Sequence, residues 1–343
     1  MHATDLKNLS YSGLVSLLSE MGEKPYRAKQ LWKWMYQKHV KSFDEMTDLS
    51  TSLRNRLEKN CALINFKLVQ KLISKDKSEK FLFELPDQNT IETVYMPSPD
   101  RITLCISTQV GCRMGCKFCL TTQQGLMRNL SAGEILNQVI EVQRRVDQKI
   151  TNIVMMGMGE PLENLENVIQ AIDILRSPDA FNLSQRKITV STVGLVPAIE
   201  EFGKRTDVNL AISLNASTDL LRSQIIPINR KYPLQTLLDA CRNYPLKPQR
   251  KITFEYVVFK DLNDSAEDIK NLGTMLKDIP CKINLIPFNE HKAGSFQRPL
   301  DQTVITMQDA LKQNGINATI RYSRGRDILA ACGQLASQSA NLQ

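Results

Sequence analysis

Along residues 5 to about 60 the apolar positions recur at helical spacing: Leu14, Leu17 and Leu18, then Leu31, Trp34 and Met35, then Leu49, Leu53 and Leu57. Serines and a glycine at the breaks complete the pattern of a small helical bundle. From about 66 to 96 the pattern changes to alternation, and FLFEL and IETVYM flank Pro86-Asp87-Gln88-Asn89, which reads as a β-hairpin. Past residue 100, short β-rich runs alternate with amphipathic stretches. The runs are TLCIST (103–108), NIVMMG (152–157), KITVST (187–192), VNLAISL (208–214), KITFEYVVF (251–259) and CKINLIP (281–287), with a further strand plausible at NATIRYS (317–323). Helical patterns at 131–146, 162–176 and 265–278 separate them. Strand–helix alternation of these lengths predicts βαβ units around a parallel sheet, and six repeats suggest an incomplete barrel. The organisation expected is an N-terminal helical unit over 1–65, a hairpin connector over 66–98 and an α/β domain over 99–343.

Composition narrows the partners. With 44 Lys and Arg against 36 Asp and Glu, the net charge is +8, which favours a polyanion such as nucleic acid over an acidic small molecule. In the helical unit Lys24, Arg27, Lys29, Lys33, Lys38 and Lys41 interleave with Tyr26, Trp32, Trp34 and Tyr36. That arrangement places phosphate contacts beside stacking rings, or else a solvated face over an aromatic core. Eight cysteines are too sparse and irregular for a disulfide scaffold, the polar start MHATDLKNLS reads as an ordinary N-terminus without a secretory h-region, and no apolar run approaches a membrane span. A reducing cytoplasm is the expected setting, with no membrane partner.

Candidate chemistry concentrates in VGCRMGCKFCL. Cys112, Cys116 and Cys119 have the spacing C-x₃-C-x₂-C, and Gly111, Arg113, Gly115 and Lys117 mark a loop and not a core run. Iron–sulfur clusters are held by cysteine thiolates, usually four, so three leave one iron open for chemistry. A structural zinc site needs a closed set such as Cys₄ or Cys₃His, and the only histidines, His2, His39 and His291, are distant in sequence, although a distant residue can complete such a set. The loop follows the first strand of the α/β domain, at the sheet edge where such barrels build active sites.

The same run, with an aromatic before its last cysteine, resembles the signature of the radical S-adenosylmethionine (SAM) superfamily. Longer stretches narrow the resemblance: GEKPYRAKQLWKWMY, CISTQVGCRMGCKFC, GMGEPLENLENV, ITVSTVGLVPAI, CKINLIPFN and IRYSRGRDILAACGQL. Together they resemble the bacterial dual-specificity adenine-C2 methyltransferases of 23S rRNA and tRNA, along nearly the whole chain. The resemblance implies an α/β fold, a partial (β/α)₆ radical SAM barrel with a small N-terminal helical domain that binds RNA and a β-hairpin extension. It implies a [4Fe-4S] cluster, one per subunit, on Cys112, Cys116 and Cys119, and two SAM molecules per turnover. SAM contacts then fall on Gly159, Glu160, Ser191, Ser213, Leu214, Asn215 and Asn289. The family commonly has His where Asn215 stands and Gly where Thr122 stands.

Two isolated cysteines acquire roles through the same resemblance. Cys332, in AACGQL, matches the family's methyl carrier, and Cys105 the thiol that resolves a covalent protein–RNA adduct. Glu92 matches the base that removes the C2 proton, although the residue alone reads as a solvent-facing strand carboxylate paired with Lys80 or a neighbour. Adenine C2 is electron-poor and not nucleophilic, so transfer of a methyl cation from SAM is not expected and a radical route is required. Implied partners are 23S rRNA, tRNA beside the anticodon, and an electron donor such as flavodoxin or ferredoxin. The related adenine-C8 methyltransferase group and a non-catalytic, metal-clipped RNA-binding protein remain open alternatives.

Overall fold

The computed structural model describes residues 3–291 and 295–336; His2, one of the three histidines weighed as a zinc ligand, lies outside them. The N-terminal periodicity forms three helices, Tyr11–Glu20 (α1), Tyr26–Tyr36 (α2) and Thr51–Asn60 (α3). The Ser10 hydroxyl accepts from the Gly13 amide at 3.1 Å and that of Ser50 from the Leu53 amide at 3.3 Å, satisfying helix-end donors that would otherwise be orphaned. Leu14, Leu18, Leu31, Met35, Leu53 and Leu57 are buried between the helices. Trp32 and Tyr36 join them edge-to-face at 4.8 Å. These two rings are therefore core, and Tyr26 alone of the four interleaved aromatics is exposed. Thr4–Asp5 (β1) pairs in parallel with Cys61–Ala62 (β2) and closes the unit. Buried Lys7 fastens it to helix Ala132–Gln143 (α4), donating to the Ile64 carbonyl at 2.6 Å and to Asn137 Oδ1 at 2.8 Å.

The alternating segment does not stand apart as a hairpin. Lys67–Ile73 (β3), Glu79–Glu84 (β4), Thr90–Ser98 (β5) and Arg101–Cys105 (β6) form an antiparallel meander. β6 is also the first parallel strand of the barrel, so the meander continues the barrel sheet. The hairpin pattern was legible; its outer partner β3, KLVQKLI, was not, because its side chains are mostly exposed and its apolar residues do not alternate with polar ones. Beyond β6 a short antiparallel pair, Gln109–Gly111 (β7) and Leu126–Asn129 (β8), brackets the cysteine loop. Parallel strands follow at Asn152–Met155 (β9), Ile188–Thr192 (β10), Asn209–Ser213 (β11), Ile252–Val258 (β12), Cys281–Pro287 (β13) and Ala318–Ile320 (β14). The sheet order is β14-β13-β12-β11-β10-β9-β6-β5-β4-β3.

Parallel neighbours require crossovers. These are α4, Leu165–Arg176 (α5), Val196–Arg205 (α6), Asp219–Ile225 (α7) with Leu234–Arg242 (α8), Ala266–Leu276 (α9) and Asp301–Gln313 (α10). The result is a partial barrel of six βα units with β14 added. Among the described residues no helix is long and apolar enough to cross a membrane.

The two faces of the barrel strands differ in chemistry. Ile153, Met155, Val190, Leu210, Ile212, Phe254, Ile283 and Leu285 are buried in the main apolar core, each contributing about 1.5–3 kcal/mol by burial. The alternate positions, Asn152, Thr189, Ser191, Asn209, Ser213, Thr253, Glu255 and Asn284, line open cavities. A closed barrel fills its interior with branched apolar side chains. This one keeps a polar lumen.

Candidate active site

Cys112, Cys116 and Cys119 lie at the C-terminal edge of the sheet and line one cleft of about 1050 Å³, open to solvent. Gly111 has φ +76°, and a Cβ there would come 1.9 Å from the Gly125 carbonyl oxygen, which accepts from the Cys112 amide at 2.8 Å. The loop is thus pinched shut at its base. Thr122 fills the place where the family commonly has glycine, and its hydroxyl donates to the carbonyls of Cys116 and Cys119, each at 2.9 Å. The departure adds a tie within the loop and displaces no thiol.

Burial pushes the Cys112 thiol up to about 12 and Cys116 well above its ordinary value, with the neighbouring sulfurs adding to both. A bound cationic centre reverses that balance, because coordination deprotonates a thiol. Among the described residues no three His, Cys, Asp or Glu side chains converge on a position for a single ion. His291 packs beside the loop, its Nε2 3.2 Å from the Phe118 carbonyl. Thiolates that each hold a different iron of a cluster need no such convergence, so the donor set fits a cluster better than zinc.

The expected SAM contacts gather around the same cleft, with one exception. Gly159, Glu160, Ser191, Ser213, Asn215 and Asn289 line it. Gly159 has φ +101°, and a Cβ would stand 2.5 Å from that of Gln109. Glu160 is buried; Oε2 accepts from the Val193 amide at 2.9 Å and Oε1 from the Leu162 amide at 3.1 Å. Burial raises its carboxyl to about 7, and it has no ion pair among the described residues. An ammonium group would supply the missing counter-charge. Asn289 Nδ2 donates to Ser323 at 2.8 Å, while its buried Oδ1 has no partner among the described residues and is available to accept from a ligand donor.

Asn215 takes a left-handed backbone, φ +57°, which asparagine tolerates. Its Oδ1 is committed to the Val257 amide at 2.7 Å. Leu214 is the exception: fully buried behind the wall, its amide donates to the Glu255 carbonyl and its carbonyl accepts from Arg222 Nε.

Arg222 went unnoticed in the sequence, where an arginine in a short helix reads as solvated. It is wholly buried and donates to the carbonyls of Val193, Ser213 and Leu214 and to Asn229 Oδ1. One guanidinium thereby knits the ends of β10 and β11. Arg321 was also missed. It lies 3.5 Å from Glu255 and lines both the cleft and the lumen below, at their junction.

Cys332 is exposed at the cleft, whereas Cys105 is buried in β6. The two border one smaller cavity of about 510 Å³, together with Met156, Arg321 and Leu335. Burial pushes the Cys105 thiol up to about 12, with the Cys332 sulfur adding to it. Desolvation by the cleft walls raises the Cys332 thiol, and the Arg321 guanidinium draws it back. Gly333, at φ +83°, brings the chain against the cysteine loop, where its carbonyl accepts from the Leu120 amide at 2.8 Å.

Glu92 is fully buried, not solvent-facing as a strand carboxylate suggests, because the C-terminal segment covers β5. It does pair with Lys80, at 2.9 Å. It stands outside the lining of the cavities that hold Cys332.

Below the cleft the polar lumen opens at the strand N-termini. Arg101, Arg186, Lys187, Lys251 and Lys282 surround it, and none pairs with a carboxylate among the described residues. The lumen adjoins the cleft at Met156, Glu255 and Arg321. The cations of α2 are less available: Lys29 and Lys33 stand 3.2 and 3.8 Å from Asp179.

Comparison with known proteins places the chain in a family. Residues 4–63 match the ribosomal RNA large subunit methyltransferase N-terminal domain, and residues 106–273 match the radical SAM superfamily. The chain is 51% identical over 331 residues to the dual-specificity RNA methyltransferase RlmN of Geobacter sulfurreducens, covering 96% of this chain and 91% of that protein. It is 48% identical over 335 residues to that of Geotalea uraniireducens, covering 98% and 97%. A radical SAM methyltransferase from Sphaerobacter thermophilus superposes with a TM-score of 0.94 at 42% identity, covering 98% of this chain and all of that one. A three-cysteine loop, an exposed cysteine lining the same cleft, and these likenesses along the whole chain agree: the protein belongs to the dual-specificity RNA methyltransferase family of radical SAM enzymes.

Proposed function

We propose that this enzyme methylates C2 of a specific adenine in 23S rRNA and an adenine beside the anticodon of tRNA, with Cys332 as methyl carrier and Cys105 as resolving thiol. The supporting observation is that exposed Cys332 borders both the cleft of the three cysteines and the cavity of Cys105. Cys112, Cys116 and Cys119 would hold one [4Fe-4S] cluster per subunit. Gly159, Glu160, Ser191, Ser213, Asn215 and Asn289 would position SAM, two molecules of which are consumed per methyl delivered. When bound and reduced by a flavodoxin- or ferredoxin-type donor, the cluster supplies the electron that cleaves SAM to a deoxyadenosyl radical.

The chain's own residues do the rest. The Cys332 thiolate first takes a methyl group by displacement at the sulfonium, forming one S–C bond as another breaks. After hydrogen-atom loss from that methyl, the carbon adds to adenine C2 and joins Cys332 covalently to RNA; the one unpaired electron left on the adduct would pass back to the centre that supplied the electron for SAM cleavage, so none is consumed net. Glu92 is the proposed acceptor of the C2 proton. The Cys105 thiolate then attacks the Cys332 sulfur; the S–S bond forms as the S–C bond to product breaks, and the departing carbon takes up a proton to complete the methyl group. A reducing cytoplasm restores both thiols. RNA reaches Cys332 by way of the lumen, whose unpaired cations suit a phosphodiester backbone.

Anaerobic reconstitution with iron and sulfide, followed by SAM, reductant and RNA, tests the reading. Formation of 5′-deoxyadenosine together with methylated RNA is expected. A cluster-loaded, SAM-binding protein that yields no 5′-deoxyadenosine would be a metal-clipped RNA-binding protein instead.

A further inference from the structure

The carrier segment, residues 329–336, belongs to no helix or strand, and its two ends meet one buried ion pair. Lys80, on β4, and Glu92, on β5, are diagonal neighbours across an antiparallel ladder in which Leu82 opposes Glu92 and Lys80 opposes Val94. Both side chains are almost wholly buried and stand 2.9 Å apart. Lys80 Nζ also donates to the Leu329 carbonyl at 3.1 Å, and Glu92 Oε2 accepts from the Ala336 amide at 2.7 Å. Leu329 and Ala336 bracket Cys332. Leu329 itself takes a left-handed backbone, φ +51°, which a leucine keeps only where its surroundings impose it.

A buried ion pair adds little to stability compared with an apolar pair of the same volume, because both charges lose their hydration. This pair does something an apolar one cannot. It meets two backbone groups of a loop that has no ladder to satisfy them. We propose that Lys80 and Glu92 form a latch whose two arms seat the Cys332 segment over the cleft, making Lys80 a positioning residue for the methyl carrier. The proposal rests on the carrier reading of Cys332 and extends it. Lys80 at Oε1 and the Ala336 amide at Oε2 engage both oxygens of Glu92 while the segment is seated, so Glu92 serves the seat as well as any proton.

The test is hydrogen exchange, read by mass spectrometry on the anaerobically purified, cluster-loaded enzyme. In Lys80→Met, exchange in the peptide spanning 329–336 is expected to quicken about tenfold or more, with peptides from β9 to β12 unchanged. The ratio of 5′-deoxyadenosine to methylated RNA should rise, and the methylated fraction of Cys332 should fall. Lys80→Arg should recover part of both. Should Lys80→Met strand the Glu92 charge and fail to fold, the doubly neutral Lys80→Met/Glu92→Gln variant replaces it, with the same faster exchange expected. Unchanged exchange in the 329–336 peptide of a folded variant overturns the latch. Exchange reads the seat without turnover, so failure of the proposed reaction in the parent enzyme leaves this result separately readable.

Discussion

Glu160 shows how one residue can satisfy the fold and still leave its charge unmatched at the cleft. Its two oxygens cap backbone amides, which any tight strand-to-helix turn demands, yet its charge is left without a partner among the described residues and its carboxyl is raised to about 7. Only the ionised form attracts an ammonium. As pH falls through about 7 the free protein takes up a proton at Glu160, and SAM affinity should weaken between pH 8 and pH 6. Glu160→Gln should lower affinity about tenfold, roughly 1.4 kcal/mol, and flatten that dependence. Equilibrium dialysis of SAM against the cluster-loaded protein measures both; an affinity in the parent enzyme that does not change over this range contradicts the assignment. At this scale the sequence was uneven. Cys112, Cys116 and Cys119 were legible as a group because one short loop carries all three to the same cleft. Arg222 and the burial of Glu92 were not, since both depend on segments that arrive from elsewhere in the chain.

At the scale of elements, alternating strands and helices were readable because period 2 and period 3.6 differ, and β13 spans the very residues its apolar run marked. The meander was only half legible. Its turn residues signalled a hairpin, but nothing local says that β5 pairs with the first barrel strand on its other side. That pairing has a chemical consequence, for it sets Cys105, at the end of β6, beside the cavity it shares with Cys332. The β3–β4 turn contributes too, with the Ser74 hydroxyl donating to Asp327 at 2.5 Å and the Gly325 amide to Asp76 at 3.0 Å just ahead of the Cys332 segment.

If Cys105 merely packed, Cys105→Ala would lose a little stability and leave activity proportional to folded protein. The resolving role leads elsewhere: the variant should attack RNA and stall with RNA joined to Cys332. Denaturing electrophoresis after expression with native RNA should show a slower, nuclease-sensitive species. Turnover like the parent enzyme without that species would return Cys105 to the core.

Over the whole molecule, a thiolate loop at one edge of the barrel, a polar lumen and a ring of cations at the other edge form one connected path. Net charge alone pointed toward nucleic acid without saying where. The aromatic and basic run of α2 is conspicuous in the sequence, yet two of its rings are core and two of its lysines lie beside Asp179. The cations around the lumen were invisible as a group because they come from several different strand starts. What unites the molecule is the claim that a methyl group passes from Cys332 to adenine C2. The most direct measurement starts from enzyme carrying a deuterated methyl on Cys332, reacts it once with RNA and unlabelled SAM, and digests the RNA for mass spectrometry. The account requires 2-methyladenosine that retains deuterium from the cysteine methyl. Unlabelled 2-methyladenosine as the only first-turnover product, or 8-methyladenosine in its place, would contradict it.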